Sequence, residues 1–264
     1  NKKKVSDARM TLFWNGVLVH NDVAVPHATG ARKKDGEDPS RPIQLGPLFL
    51  QYHKSNARGP VRYRNIWISE IIESNYELGE WRDLVGDNGL DDFRVVGGKA
   101  DYRLAGKTII GTTKPNTSNT FLTTKAKYKD FDMVFDVKVD PELNSGVQIR
   151  SEDIGSGLRG YQVEIDSSSR HFTGGIYDER RRGWLMPLND RPYSRRAWKD
   201  GAWNQIQVKT RGPLIETWVN GVPASRLFDA MSSEGHIGLQ VHGVGGRKRP
   251  LQAQWRNLKI REVK

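Results

Sequence analysis

The stretch FDMVFDVKVD, residues 131–140, has an apolar side chain at every second position from Phe131 to Val139 and polar ones between them, Val134 excepted. Successive side chains on a β-strand point to opposite faces, so Phe131, Met133, Phe135, Val137 and Val139 would share one face. Similar short runs follow: GVQIR (146–150), YQVEID (161–166), NQIQVK (204–209), IETWVN (215–220) and HIGLQVH (236–242). Each is bounded by Gly, Asn, Pro or Asp, and long helical periodicity is hard to find. The pattern predicts an all-β protein, an antiparallel β-sandwich or jelly roll.

The composition agrees, with 27 Gly and 12 Pro among 264 residues. Nothing approaches eighteen consecutive apolar residues, so no membrane-spanning helix is expected. Cysteine is absent, which excludes disulfides, thiolate metal sites and a Cys nucleophile. The charge of +11 raises nucleic acid as a partner. The basic residues are scattered, however, and no recognition-helix or RNP-like pattern accompanies them. A solvated surface is the expected reading, with no nucleic-acid partner. The chain opens NKKKVSDARM, without an initiator Met or an apolar signal core, as a trimmed product would.

The two ends of the chain repeat each other. Asn15-Gly16 matches Asn220-Gly221, Gln51 and His53 match Gln240 and His242, and Arg64-Asn65 matches Arg256-Asn257. The early copy covers only the last part of the unit. Residues 1–75 are therefore expected to be the C-terminal part of an incomplete first copy, 76–92 a linker and 93–264 the complete domain. Alternatively, 1–75 add strands to the second domain's sheets.

Strand parity then selects a candidate site. Val147 and Ile149, then Tyr161, Val163 and Ile165, then Ile237, Leu239 and Val241 face the core. That leaves Gln148 and Arg150, then Gln162, Glu164 and Asp166, then Gln240 and His242 on the outer face. These groups hold directional hydrogen bonds, unlike the Lys and Thr of a merely solvated sheet. The following loops carry Tyr177, Trp184, Trp198, Lys199 and Trp203, and aromatic faces with polar neighbours suit sugar rings. Trp203 and Trp218 are expected in the core. Glu164 and Asp166 could form a glycosidase dyad, yet Ser167, Ser168 and Ser169 follow where a glucanase motif needs a second Glu.

The order of motifs resembles the 3-keto-disaccharide hydrolase domain family. The residues are Asn144-Ser145-Gly146 with Arg150, Gly160-Tyr161, Glu164 with Asp166, Thr173-Gly174, Ile176-Tyr177, Trp203-Asn204, Asn220-Gly221 and Gly238-Leu239-Gln240 with His242-Gly243. Ala202 stands where the family usually has Glu, and the Arg-rich insert after Tyr177 is long. The resemblance implies a concanavalin A-like jelly roll, exported to the periplasm or exterior, acting on oxidised disaccharides or glycosides. For such a substrate Arg150 would hold the oxyanion, Glu164 and His242 would act as acid and base, and Asp166 would orient a partner or bind hydroxyls. Gln148, Tyr161, Gln162, Tyr177, Trp184, Lys199 and Gln240 would bind substrate. No cofactor is required, although Glu164, Asp166 and His242 could converge on a divalent metal ion. A non-catalytic sugar-binding module is the alternative.

Overall fold

The computed structural model describes residues 8–14, 17–25, 63 and 76–263. The chain forms two compact units, residues 1–75 and 76–264. In the first, β1 (Ala8–Trp14) pairs antiparallel with β2 (Val17–Val25). Gln51, His53, Arg64 and Asn65, which carry the expected repeat, lie outside the described residues.

The second unit begins with β3 (Arg82–Asp83), β4 (Phe93–Gly97), β5 (Asp101–Ala105), β6 (Thr108–Thr112) and β7 (Thr120–Thr124). It continues through β8 (Phe131–Val139), β9 (Ser145–Asp153), β10 (Leu158–Ile165), β11 (Ile176–Glu179) and β12 (Gly183–Met186). After the short helix α1 (Pro192–Ala197) come β13 (Asn204–Arg211), β14 (Leu214–Val219), β15 (Val222–Phe228), β16 (His236–Val241) and β17 (Gln252–Glu262). Two antiparallel sheets result: seven strands ordered β12-β11-β10-β9-β16-β7-β4, and eight, of which seven are ordered β15-β14-β13-β8-β17-β6-β5 and the eighth, β3, pairs with β17 off that order. They form the expected β-sandwich.

The alternation in β8 does what its pattern requires. Phe131, Met133, Phe135, Val137 and Val139 are buried, against Val147, Ile149, Tyr161, Val163, Ile165, Ile237, Leu239 and Val241 from the seven-stranded sheet. Such residues each contribute about 1.5–3 kcal/mol by leaving water. Residues 76–92 do more than connect. Leu78 bridges Val263, β3 pairs with β17, and the Leu84 amide donates to the Leu258 carbonyl at 2.8 Å with its side chain buried. Trp203 and Trp218, expected in the core, are half-buried on the outside of the eight-stranded sheet. The Arg256 guanidinium covers Trp203 at 4.1 Å and Lys209 covers Trp218 at 5.4 Å. Trp198 and Trp255 are buried instead.

One irregularity decides the site. Tyr161 pairs with Ile149 and Arg159 with Glu152, so Arg150 and Ser151 together oppose the single residue Gly160. This is a β-bulge, with Arg150 in the left-handed region at φ +46°. Beyond it the β9–β10 hairpin bends across β16 and β7. Leu158 is fully buried against Gly238, and Asp153 reaches Arg94 on β4 at 2.9 Å.

Candidate functional site

A cleft of about 500 Å³ lies on the polar face of the seven-stranded sheet. Its floor and walls are Asn119, Asn144, Gln162, Glu164, Arg170, Tyr177, Glu179, Trp184, Gln240 and His242. Parity thus places Gln162, Glu164, Gln240 and His242 as expected; Tyr177 and Trp184, expected in loops, stand on β11 and β12, and the structure brings all six together.

Glu164 stands in the middle of the cleft. Asn144 Nδ2 donates to Glu164 Oε1 at 2.7 Å and Gln162 Nε2 to Oε2 at 2.9 Å. Burial pushes its carboxyl above the ordinary range; those two hydrogen bonds and Arg170 oppose the shift, while Asp166 adds to it. Gly146 makes the arrangement feasible, because a Cβ there would lie 2.4 Å from Gln162 Cδ. Gly146→Ala is therefore expected to turn Gln162 off Glu164 and remove most activity while the far-UV circular dichroism of the sandwich persists.

Across the cleft, Glu179 sits beside Asn119 and His242. Burial raises its carboxyl too, opposed by Arg180, His242 and a hydrogen bond from Asn119. His242 Nδ1 lies 2.8 Å from the Gly243 carbonyl, which can only accept, so this nitrogen donates to it. Gln240 is fully buried, and neither its amide nitrogen nor its oxygen has a protein partner. A buried carboxamide without partners loses roughly 1–3 kcal/mol unless something enters the cleft to bind it. On the opposite side Trp184 meets Tyr177 and Phe172 edge-on, at 5.4 and 5.3 Å between ring centroids. The Arg170 guanidinium lies 5.7 Å from the Trp184 ring centre.

Five expected site residues are elsewhere. Arg150 was assigned to the outer face by strict alternation, but the bulge turns it inward. It is 1% exposed and ties the two sheets together. Its Nε donates to Lys129 O at 2.6 Å, Nη1 to Gly212 O at 2.7 Å and Nη2 to Asp130 Oδ1 at 2.6 Å. Asp166 faces its own loop, accepting from Ser168 N, Phe172 N and Arg170 Nε. It orients a partner, as expected, and that partner is Arg170. Tyr161 is buried beneath the sheet with its hydroxyl on Asp229; burial and that carboxylate push the phenol up to about 12. Lys199 is exposed, away from the cleft, with its backbone amide on Asn204. Gln148 lies under the floor rather than on it, donating to Gln162 Oε1 at 2.9 Å.

Four cleft residues escaped the sequence reading. Glu179 follows Tyr177 by two positions on β11, so parity alone could have placed it. Asn144 stood inside the quoted Asn-Ser-Gly motif. Arg170 and Asn119 lie in loops, and no periodicity points to them. With Asp166 turned away, Glu164, Asp166 and His242 do not converge on a metal ion. Among the described residues no three His, Asp or Glu side chains gather where an ion could sit.

A polar cleft walled by aromatic rings on one sheet of a sandwich suits the faces and hydroxyls of sugar rings. The chain belongs to the family of 3-keto-alpha-glucoside-1,2-lyase-like domains, which it matches over residues 4–69 and 80–261. Among solved structures, a candidate glycosyl hydrolase from Parabacteroides distasonis ATCC 8503 is 21% identical, covering 70% of this chain and 100% of its own, with a TM-score of 0.51. A second candidate glycosyl hydrolase from that organism is 14% identical over 70% and 88% of the two chains, with a TM-score of 0.45. The carbohydrate-binding module CBM66 from Bacillus subtilis is 13% identical over 63% and 96%, with a TM-score of 0.43. These are likenesses of fold. No curated protein sequence matches the chain.

Proposed function

We propose that the cleft binds a 3-keto-glycoside and breaks its glycosidic bond by elimination. The ketone at C3 acidifies the hydrogen on C2. Glu164 takes that proton, and the C–H electrons form an enolate whose charge rests on the C3 oxygen. The Gln240 amide and the Arg170 guanidinium supply donors for that oxygen. As the enolate collapses, the C1–O bond breaks, a C1–C2 double bond forms, and the departing oxygen takes a proton from Glu179. Water added later across the double bond gives net hydrolysis. Burial raises both carboxyls above the ordinary range, so each is a stronger base when ionised and holds its proton more tightly when neutral.

The observation that carries this reading is Gln240, a buried amide with both ends unpaired at the floor of a cleft that holds two carboxyls and a guanidinium. The test is incubation with a 3-keto-glucoside in heavy water, with and without a chelator. Deuterium should enter C2 and the aglycone should be released. An unoxidised glucoside bound tightly, with no keto sugar consumed, would mean a sugar-binding module instead. Export to the periplasm or exterior is part of the same proposal, and fractionation of the producing cells checks it.

Trp184 and Tyr177 wall the end away from Gln240 and would hold a sugar ring there. Trp184→Ala is expected to raise KM about fivefold for a disaccharide, with kcat less affected, because one lost stacking contact is worth roughly 1 kcal/mol. Steady-state kinetics on 3-keto-disaccharides check it.

A further inference from the structure

A one-way chain of hydrogen bonds runs through the seven-stranded sheet and ends on Glu164. Ser151 Oγ lies 2.6 Å from Gln148 Oε1, Gln148 Nε2 donates to Gln162 Oε1 at 2.9 Å, and Gln162 Nε2 donates to Glu164 Oε2 at 2.9 Å. The ionised carboxylate dictates the direction, since it can only accept. Gln162 must therefore turn its NH2 toward Glu164, and its oxygen then faces Gln148. Gln148 must supply its own NH2, and its oxygen faces Ser151, which must donate. Ser151 and Gln148 are fully buried and Gln162 nearly so. Every hydrogen bond in the chain therefore forms out of water, where successive bonds polarise one another.

We propose that Ser151 and Gln148, neither of which touches the cleft's contents, are positioning residues that act on Glu164 through Gln162. The bulge makes this feasible. With regular alternation Ser151 would face the core, but the extra residue puts it on the same side as Gln148. The arrangement is also reversible. If Glu164 takes up a proton on Oε2 and donates it to Gln162, both amides can turn over. The Ser151 hydroxyl then finds another acceptor in the Ile149 carbonyl at 3.0 Å. The chain thus has a satisfied form for each protonation state that the proposed base passes through.

This inference rests on Glu164 being the working carboxylate, and its test needs no substrate. The side-chain carboxyl of Glu164, labelled with carbon-13 and assigned with Glu164→Gln, is titrated by NMR in wild type, Ser151→Ala and Gln148→Leu. The charged groups near Glu164 are Asp166 along its own strand, Arg170 from the adjoining loop, and Glu179 and His242 across the cleft. None of these is altered, and both replaced residues are neutral, so a shift reports the chain itself. The midpoint should move upward, by about half a pH unit in Ser151→Ala and about one in Gln148→Leu, because the ionised form loses its oriented donor. The acid limb of the pH–rate profile should move with it. An unchanged midpoint in Ser151→Ala overturns the proposal even if Gln148→Leu does not fold. A shifted midpoint in a protein that leaves 3-keto-glucosides untouched would uphold the chain and sink the elimination reading.

Discussion

Glu164→Gln is expected to lower kcat on a 3-keto-glucoside by about 10²–10⁴, the range for loss of a general base. Deuterium entry at C2 should fall with it. Glu179→Gln should instead keep the C2 exchange while slowing release of the aglycone, because the proton given to the leaving oxygen is spent later. Equal loss of both signals in the two variants would remove this division of roles. The same substitution has a second effect, on stability. Burial holds the Glu164 carboxyl above its ordinary range, so the native state binds the proton more tightly than the unfolded chain does. Its contribution to stability is then complete below the ordinary Glu range of about 4.3 and is lost as pH rises through the raised native value. Glu164→Gln abolishes that titration. The new amide keeps its oxygen toward Asn144 and its NH2 toward Gln162, and the reversed chain accommodates it. Chemical denaturation at low and neutral pH should show the variant gaining on wild type as pH rises. A constant difference would mean that the carboxyl is not held up by burial.

Arg150→Met is expected to cost about 3 kcal/mol of stability, the lower end for removing one partner of a buried ion pair, since Asp130 keeps some contact with water. For a unit of this size that corresponds to a fall in Tm of roughly 6–12 °C. The Gly212 carbonyl loses its side-chain donor, the Lys129 carbonyl is left with Thr210 Oγ1 and Asp130 with the Gly212 amide, and the two sheets lose a tie between them. Below its melting range the variant should still exchange the C2 proton. A catalytic Arg150 would give the opposite pattern, with intact melting and lost exchange, so thermal unfolding paired with the exchange assay decides between the two roles.

The sandwich was legible because its signal is repeated. In β8, β10 and β16 every second residue is apolar, and one face of each must be buried. Alternation also located Gln162, Glu164, Gln240 and His242, because these stand on strands whose register is unbroken at their positions. It failed at Arg150, where an extra residue entered between Ile149 and Glu152 without a Gly, Pro or Asn between them to announce it. At Tyr161 the core parity held, and the expectation that failed was the role in substrate binding. Trp203 and Trp218 show a third limit. Their hydrophobicity said core, yet an arginine or lysine stacked over each ring lets it remain at the surface. Loop residues such as Arg170 depend on a turn that Asp166 holds, and no period reports that.

The bulge at Arg150 and Ser151 also shapes how this chain can change over time. One inserted residue exchanges the two sides of the sheet for everything that follows it on β9. Deleting Ser151 would turn the Arg150 guanidinium outward toward the cleft, and the clamp and the chain to Glu164 would be lost together. Substitutions at these positions can be tried singly by evolution, but a change in length cannot. The stretch from Ile149 to Glu152 therefore acts as a fixed spacer, whose count of residues matters as much as their identity.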